Sequence, residues 1–100
     1  MTTLHISLDD GFNGQSVAIL VNGRLVCNKP GVTTDLRTSR AAALDTDVEG
    51  TLAHVAVVVE PDGLQASVDV DSMVTPYLCI DIAPQGAIAF RPTQDMPRYF

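Results

Sequence analysis

Tryptophan is absent from this chain, and aromatic side chains number only five in 100 residues. The immunoglobulin hallmark of a cysteine pair packed on a buried tryptophan is therefore missing. Positive charge is scarce as well: six lysines and arginines stand against twelve acids, for a formal net charge of −6. That balance argues against nucleic acid and anionic membranes as partners, since both select clustered positive charge. No apolar run approaches the roughly 20 residues that a membrane-crossing helix needs. The opening MTTLHISLDD has neither a basic nor an apolar signal region, so a cytoplasmic location is expected. Cysteine is limited to Cys27 and Cys79, far apart and without CxxC-like spacing. In a chain without a leader, they read as buried or half-buried thiols rather than a disulfide.

What the chain does have is aliphatic. Hydrophobic residues make up 46% of it, enough for one domain over residues 1–100 with a real core and no metal or disulfide staple. Their spacing is that of strands. Leu4, Ile6 and Leu8 alternate with Thr3, His5 and Ser7. The segment SVAILVNGRLVCNK is a hairpin around Asn22-Gly23, a pair that tolerates the positive φ angles of a type I′ turn. This turn predicts Leu20 opposite Leu25, Ile19 opposite Val26 and Ala18 opposite Cys27, with KPGV ending the hairpin. In LQASVDVD, Leu64, Ala66, Val68 and Val70 point inward. In YLCIDIA, Leu78, Ile80 and Ile82 point inward while Tyr77, Cys79 and Asp81 point outward. Ile88 and Phe90 return to the core, and PTQDMPRYF, with two prolines, is unfit for an interior strand. Residues 91–100 are expected to form an extended tail.

One stretch offers a helix. In TSRAAALDTDVEG, Ser39 suits an N-cap and three alanines are strong helix formers. Against this, Arg40 would sit at the positive end of the helix dipole and Asp45 and Asp47 near the negative end. The strand alternative puts Ala42, Leu44 and Val48 inward and is preferred. The fold expected is all-β: an antiparallel β-sandwich of about seven to nine short strands, immunoglobulin-like or transthyretin-like in layout, with a small closed β-barrel as the alternative.

Motifs for chemistry are thin. DTDVEG resembles the start of a calcium loop, but its twelfth position is Ala56, where a bidentate acid belongs. His5, His54, Cys27 and Cys79 are zinc-ligand types on four different strands without paired spacing, so no metal site and no cofactor are expected. No G-x-S-x-G elbow accompanies the serines, and the expectation is a protein that is not an enzyme. The most suggestive cluster is Arg24, Arg37 and Arg40 with the hydroxyls of TDLRTSR. Arginine forks suit carboxylate or phosphate, so these three are candidate anion-binding residues, and a small-anion-binding protein or minor enzyme is the alternative function.

The strongest signal lies in strands that are apolar on both faces. In AHVAVVVE, Ala53, Val55, Val57 and Val59 fill one face, yet Ala56 and Val58 place apolar surface on the other. The hairpin does the same. A two-layer sandwich leaves one face of each sheet in water, so the surplus needs a cover. The covers available are the tail, with Met96, Tyr99 and Phe100, or a second subunit in a two-fold contact. The expected function is thus a non-catalytic binding or assembly module, a homodimer or protein-partner complex. Its candidate interface residues are Val17, Ile19, Val26, His54, Val58, Tyr77, Tyr99 and Phe100.

Overall fold

Period-two patterning becomes eight strands in the computed structural model, which describes residues 2–35 and 41–94. These are β1 (Thr2–Leu8), β2 (Asn13–Val21), β3 (Arg24–Thr33), β4 (Ala42–Val48), β5 (Leu52–Glu60), β6 (Leu64–Asp71), β7 (Tyr77–Ile82) and β8 (Ile88–Thr93). They form two four-stranded sheets, ordered β4-β1-β7-β8 and β3-β2-β5-β6. Among the described residues there is no helix, and neither sheet closes into a barrel. The alanine-rich stretch is strand β4, with Leu44, Thr46 and Val48 turned inward and Asp45 and Asp47 exposed. Acid at its C-terminal end disfavours a helix but suits the wet face of an edge strand.

Pairing is antiparallel except for β1 with β7, which run parallel. An immunoglobulin constant-type domain holds its first and second strands in one sheet. Here β1 and β2 lie in opposite sheets, so the strand order is not that of a constant-type immunoglobulin domain.

The core is the meeting of the two inner faces. Leu4, Ile6, Leu8, Leu78 and Ile80 from the first sheet meet Val17, Ile19, Val55, Val57 and Val59 from the second, each at most 1% exposed. Val17 pairs with Val59, Ile19 with Val57 and Val21 with Val55, so β-branched side chains line the centre of the second sheet. Fully burying each such side chain contributes about 1.5–3 kcal/mol.

The hairpin register departs from expectation in one place. Asn22 (φ 52°) and Gly23 (φ 80°) make the turn, and Leu20 does face Leu25. Ile19, however, faces Cys27 rather than Val26, and Ala18 faces Asn28 rather than Cys27, because a bulge between Ile19 and Leu20 leaves Val26 as an extra residue. The hairpin also continues past Lys29 to Thr33. Pro30 is tolerated because β3 is an edge strand, where a missing N–H removes no ladder bond. For the same reason Pro92 fits in β8, at the edge of the first sheet, so residues 91–93 belong to a strand and not to the tail.

Gly11, in the β1–β2 connection, is the position where glycine is obligatory. Its φ is 89°, and a Cβ there would lie 2.1 Å from the Ile82 carbonyl oxygen. Gly86 has φ 86° but open space around it. Gly86→Ala is therefore expected to cost about 1–2 kcal/mol from backbone strain alone. Gly11→Ala should cost clearly more, as measured by urea midpoints at equal m-value.

Candidate functional site

Three places gather chemically capable groups: a buried carboxylate at one end of the first sheet, two histidine–aspartate pairs, and the outer face of the second sheet. The carboxylate is Asp9, 2% exposed, just past β1. It accepts hydrogen bonds from the Ser7 hydroxyl and from Arg91 Nη2, the latter at 3.2 Å. Arg91 Nε also donates to Asp81 at 3.2 Å, and Asp81 in turn accepts from the Asp10 amide at 3.0 Å. Arg91 thus ties β8 to β7 and to the chain leaving β1. A buried charge needs such company, because desolvating an ion without partners costs several kcal/mol.

Cys79 lies in the same row, between Ser7 and Arg91, and is 1% exposed. Its thiol points to the outer face as expected, yet it is covered. Burial, reinforced by the neighbouring Asp9 carboxylate, pushes its pKa up to about 11. A thiol held protonated is a poor nucleophile, and the contacts of Ser7, Asp9, Cys79 and Arg91 make a polar clasp across β1, β7 and β8. Sequence reading placed Cys79 and Asp81 on one face but missed Asp9 and Arg91 as their partners. Arg91 stands alone among acids in the last third of the described residues, and that isolation was the available signal.

The two histidines are each held by an aspartate across a strand pair. His5 Nδ1 lies 2.6 Å from Asp45, and the His5 ring stacks on Tyr77 at 4.8 Å. His54 Nδ1 lies 2.6 Å from Asp69. Both pairs are solvent-exposed, so they contribute little to stability. Among the described residues, neither histidine is hydrogen-bonded to a serine or cysteine. The described residues also contain no group of three or more potential metal ligands.

The candidate interface residues separate. Val17 and Ile19 are 0% exposed and belong to the core, a correction that follows from which face of β2 meets the first sheet. Val26 is half-buried at the bulge and packs against the core. Tyr77 lies on the first sheet, not on the face that carries Val58. Tyr99 and Phe100 lie outside the described residues, as do Met96, Arg37 and Arg40. Arg24 is exposed at the start of β3 and shares a cleft with Asp45, Asp47 and Glu49, surroundings that are net negative.

What remains on the outer face of the second sheet is a compact apolar row. Leu25 pairs with Leu20, which pairs with Ala56; Ala18 pairs with Val58. Leu20, Ala18, Ala56 and Val58 are half-buried, Leu25 is 54% exposed, and Leu52 extends the row at 69%. Polar residues frame it: Asn28, Gln65, Ser67, His54 and Asp69. The surplus of apolar surface is therefore smaller than the sequence implies, since the valines at 55, 57 and 59 and their β2 partners are enclosed within one subunit.

Comparison with protein-family models, with curated proteins and with solved structures gave no match. No helix among the described residues is long and apolar enough to cross a membrane.

Two outcomes test the polar clasp. In the folded protein Cys27, the more exposed thiol, should react with a thiol-specific probe well before Cys79. Cys79 also implies a pH dependence. Its folded pKa is raised, so its contribution is complete below the ordinary thiol value of about 9 and declines as pH climbs from there to about 11. Unfolding free energy measured across that window should fall less steeply in Cys79→Ala than in the parent protein.

Proposed function

We propose that this protein is a non-catalytic binding and assembly module that self-associates, as a two-fold dimer, through the outer face of the β3-β2-β5-β6 sheet. The observation that carries this reading is the Leu25–Leu20–Ala56 row beside Ala18–Val58, centred on the two inner strands of that sheet. An apolar centre framed by polar residues is the usual anatomy of a protein interface. Scattered apolar residues on a monomer surface need no cover, but contiguous ones on a flat sheet favour one.

A second copy is favoured as the occupant by the distribution of charge. On the outer face β3, at one edge, presents Leu25 and Asn28 and no acid, while β6, at the other, presents Asp69 and Asp71. A two-fold axis parallel to the strands lays β3 of each copy over β6 of its partner, keeping acid away from acid despite the net charge of −6. The free thiols Cys27 and Cys79 favour a reducing, cytoplasmic setting for this assembly.

Light scattering at tens of micromolar should return twice the 10.6 kDa chain mass. Val58→Asp, which buries a charge in the contact while leaving the inner face untouched, should return a folded monomer. A parent protein that scatters as a monomer overturns the reading, as does a Val58→Asp variant that remains dimeric.

A further inference from the structure

Four strands end the two sheets, and three of their free edges are guarded. β3 carries register irregularities and Pro30, β8 carries Pro92, and β6 packs beside β8 across that flank of the sandwich. Bulges, prolines and coverage are the usual protections of a sheet edge. β4 has none of them. Its pairing with β1 is regular from Ala42 to Val48, and it holds neither proline nor lysine. Among the described residues no strand lies on its other side.

Which backbone groups this edge offers follows from β1. Within a strand a residue's N–H and C=O point to one side, and those of the next residue point to the other. His5 donates its amide to the Pro76 carbonyl, so it is turned toward β7. Leu4 and Ile6 are therefore turned toward β4, where they meet Thr46 and Leu44. That leaves the N–H and C=O groups of Ala43, Asp45 and Asp47 pointing away from β1, at the free edge. The Asp47 carbonyl agrees, since it accepts from Arg24 Nη2 at 3.4 Å across the flank. Beside this edge lies a cleft of about 630 Å³, lined on its far side by Val21, Asn22 and Arg24.

Charge decides what can dock there. Asp45 and Asp47 are exposed on the outer face of β4, beside His5 at 2.6 Å and the Thr3 hydroxyl at 3.4 Å respectively. A second copy pairing β4 with β4, in the registers centred on Asp45 or Thr46, would set aspartate opposite aspartate. Like charges directly opposite destabilise a sheet, whereas lysine or arginine opposite an acid stabilises it. Antiparallel pairing, the more stable kind, sets such residues directly opposite one another.

We propose that β4 binds an extended basic peptide by antiparallel strand addition. Basic side chains stand opposite Asp45 and Asp47 on the outer face, and an apolar side chain between them turns into the cleft. Arg24 guards this edge: it holds the Asp47 carbonyl and is displaced when the strand docks. The site belongs to the first sheet, so binding does not depend on dimer formation through the second.

The test is a titration of the full chain with acetyl-Lys-Val-Lys-Val-Lys-amide at low salt, read by amide chemical shifts and hydrogen exchange. Saturable shifts over residues 42–48 are expected, with exchange of the Ala43, Asp45 and Asp47 amides slowed several-fold. The Leu44 and Thr46 amides, already turned to β1, should change little. A version with glutamate in place of lysine should not bind. Nor should the peptide N-methylated at its lysines, which lacks the donors that β4 needs. Arg24→Ala should tighten binding about threefold, and Asp45→Asn combined with Asp47→Asn should weaken it about tenfold. The absence of saturable shifts overturns the proposal, as does equal binding of the glutamate or N-methylated peptide. Protection of these amides that grows with chain concentration alone would assign the edge to a second copy and overturn it as well.

Discussion

The pairing of β2 with β5 is the constraint on which the rest of the molecule depends. Six consecutive residue pairs run from Ser16–Glu60 to Val21–Val55, and every inward pair among them is aliphatic. Because side chains alternate, committing Val17, Ile19 and Val21 to the core commits Ala18 and Leu20 to the opposite face. A one-residue slip would exchange the two sets, burying Ser16 and Glu60 while exposing three β-branched side chains. The register is therefore fixed by desolvation, and the composition of the outer face is its consequence rather than an independent choice.

The same pairing also sets the ends of the sandwich. Holding β2 in place fixes the Asn22-Gly23 turn, where the Asn22 side-chain oxygen accepts from the His54 backbone amide at 2.8 Å and the Asn22 backbone amide donates to the His54 carbonyl at 2.9 Å. That anchoring stations Arg24 across from β4 and leaves the flank between them open. At the opposite end the chain leaving β1 is tied down by Asp9 to Arg91, by Asp10 to Asp81, and by the close approach of Gly11 to Ile82. Polar groups thus secure the end where strands of the first sheet meet the β1–β2 connection, and an open cleft marks the flank near the β2–β3 turn.

Much of this was legible in the chain because period-two alternation is a direct record of burial. The strands, the Asn-Gly turn, the inward residues of β5, β6 and β7, and the strand character of residues 42–48 all follow from it. Three things do not. The bulge at Val26 is invisible, since alternation continues on either side of an inserted residue. Which of two apolar faces turns inward is ambiguous in β2, where Val17 and Ile19 read equally well as contact residues. Contacts between strands distant in sequence are the third: Asp9 and Arg91 are 82 residues apart, and Arg24 meets β4 only because two sheets close over one core.

The account's central claim is that the outer face of the second sheet is covered by another copy of the chain. Solvent paramagnetic relaxation of methyl groups, measured on dilute and concentrated samples, tests it most directly. The Leu20, Leu25 and Val58 methyls should become protected as concentration rises, while those of Ile19 and Val57 stay protected throughout. Equal accessibility of Leu20 and Val58 at every concentration would contradict the claim.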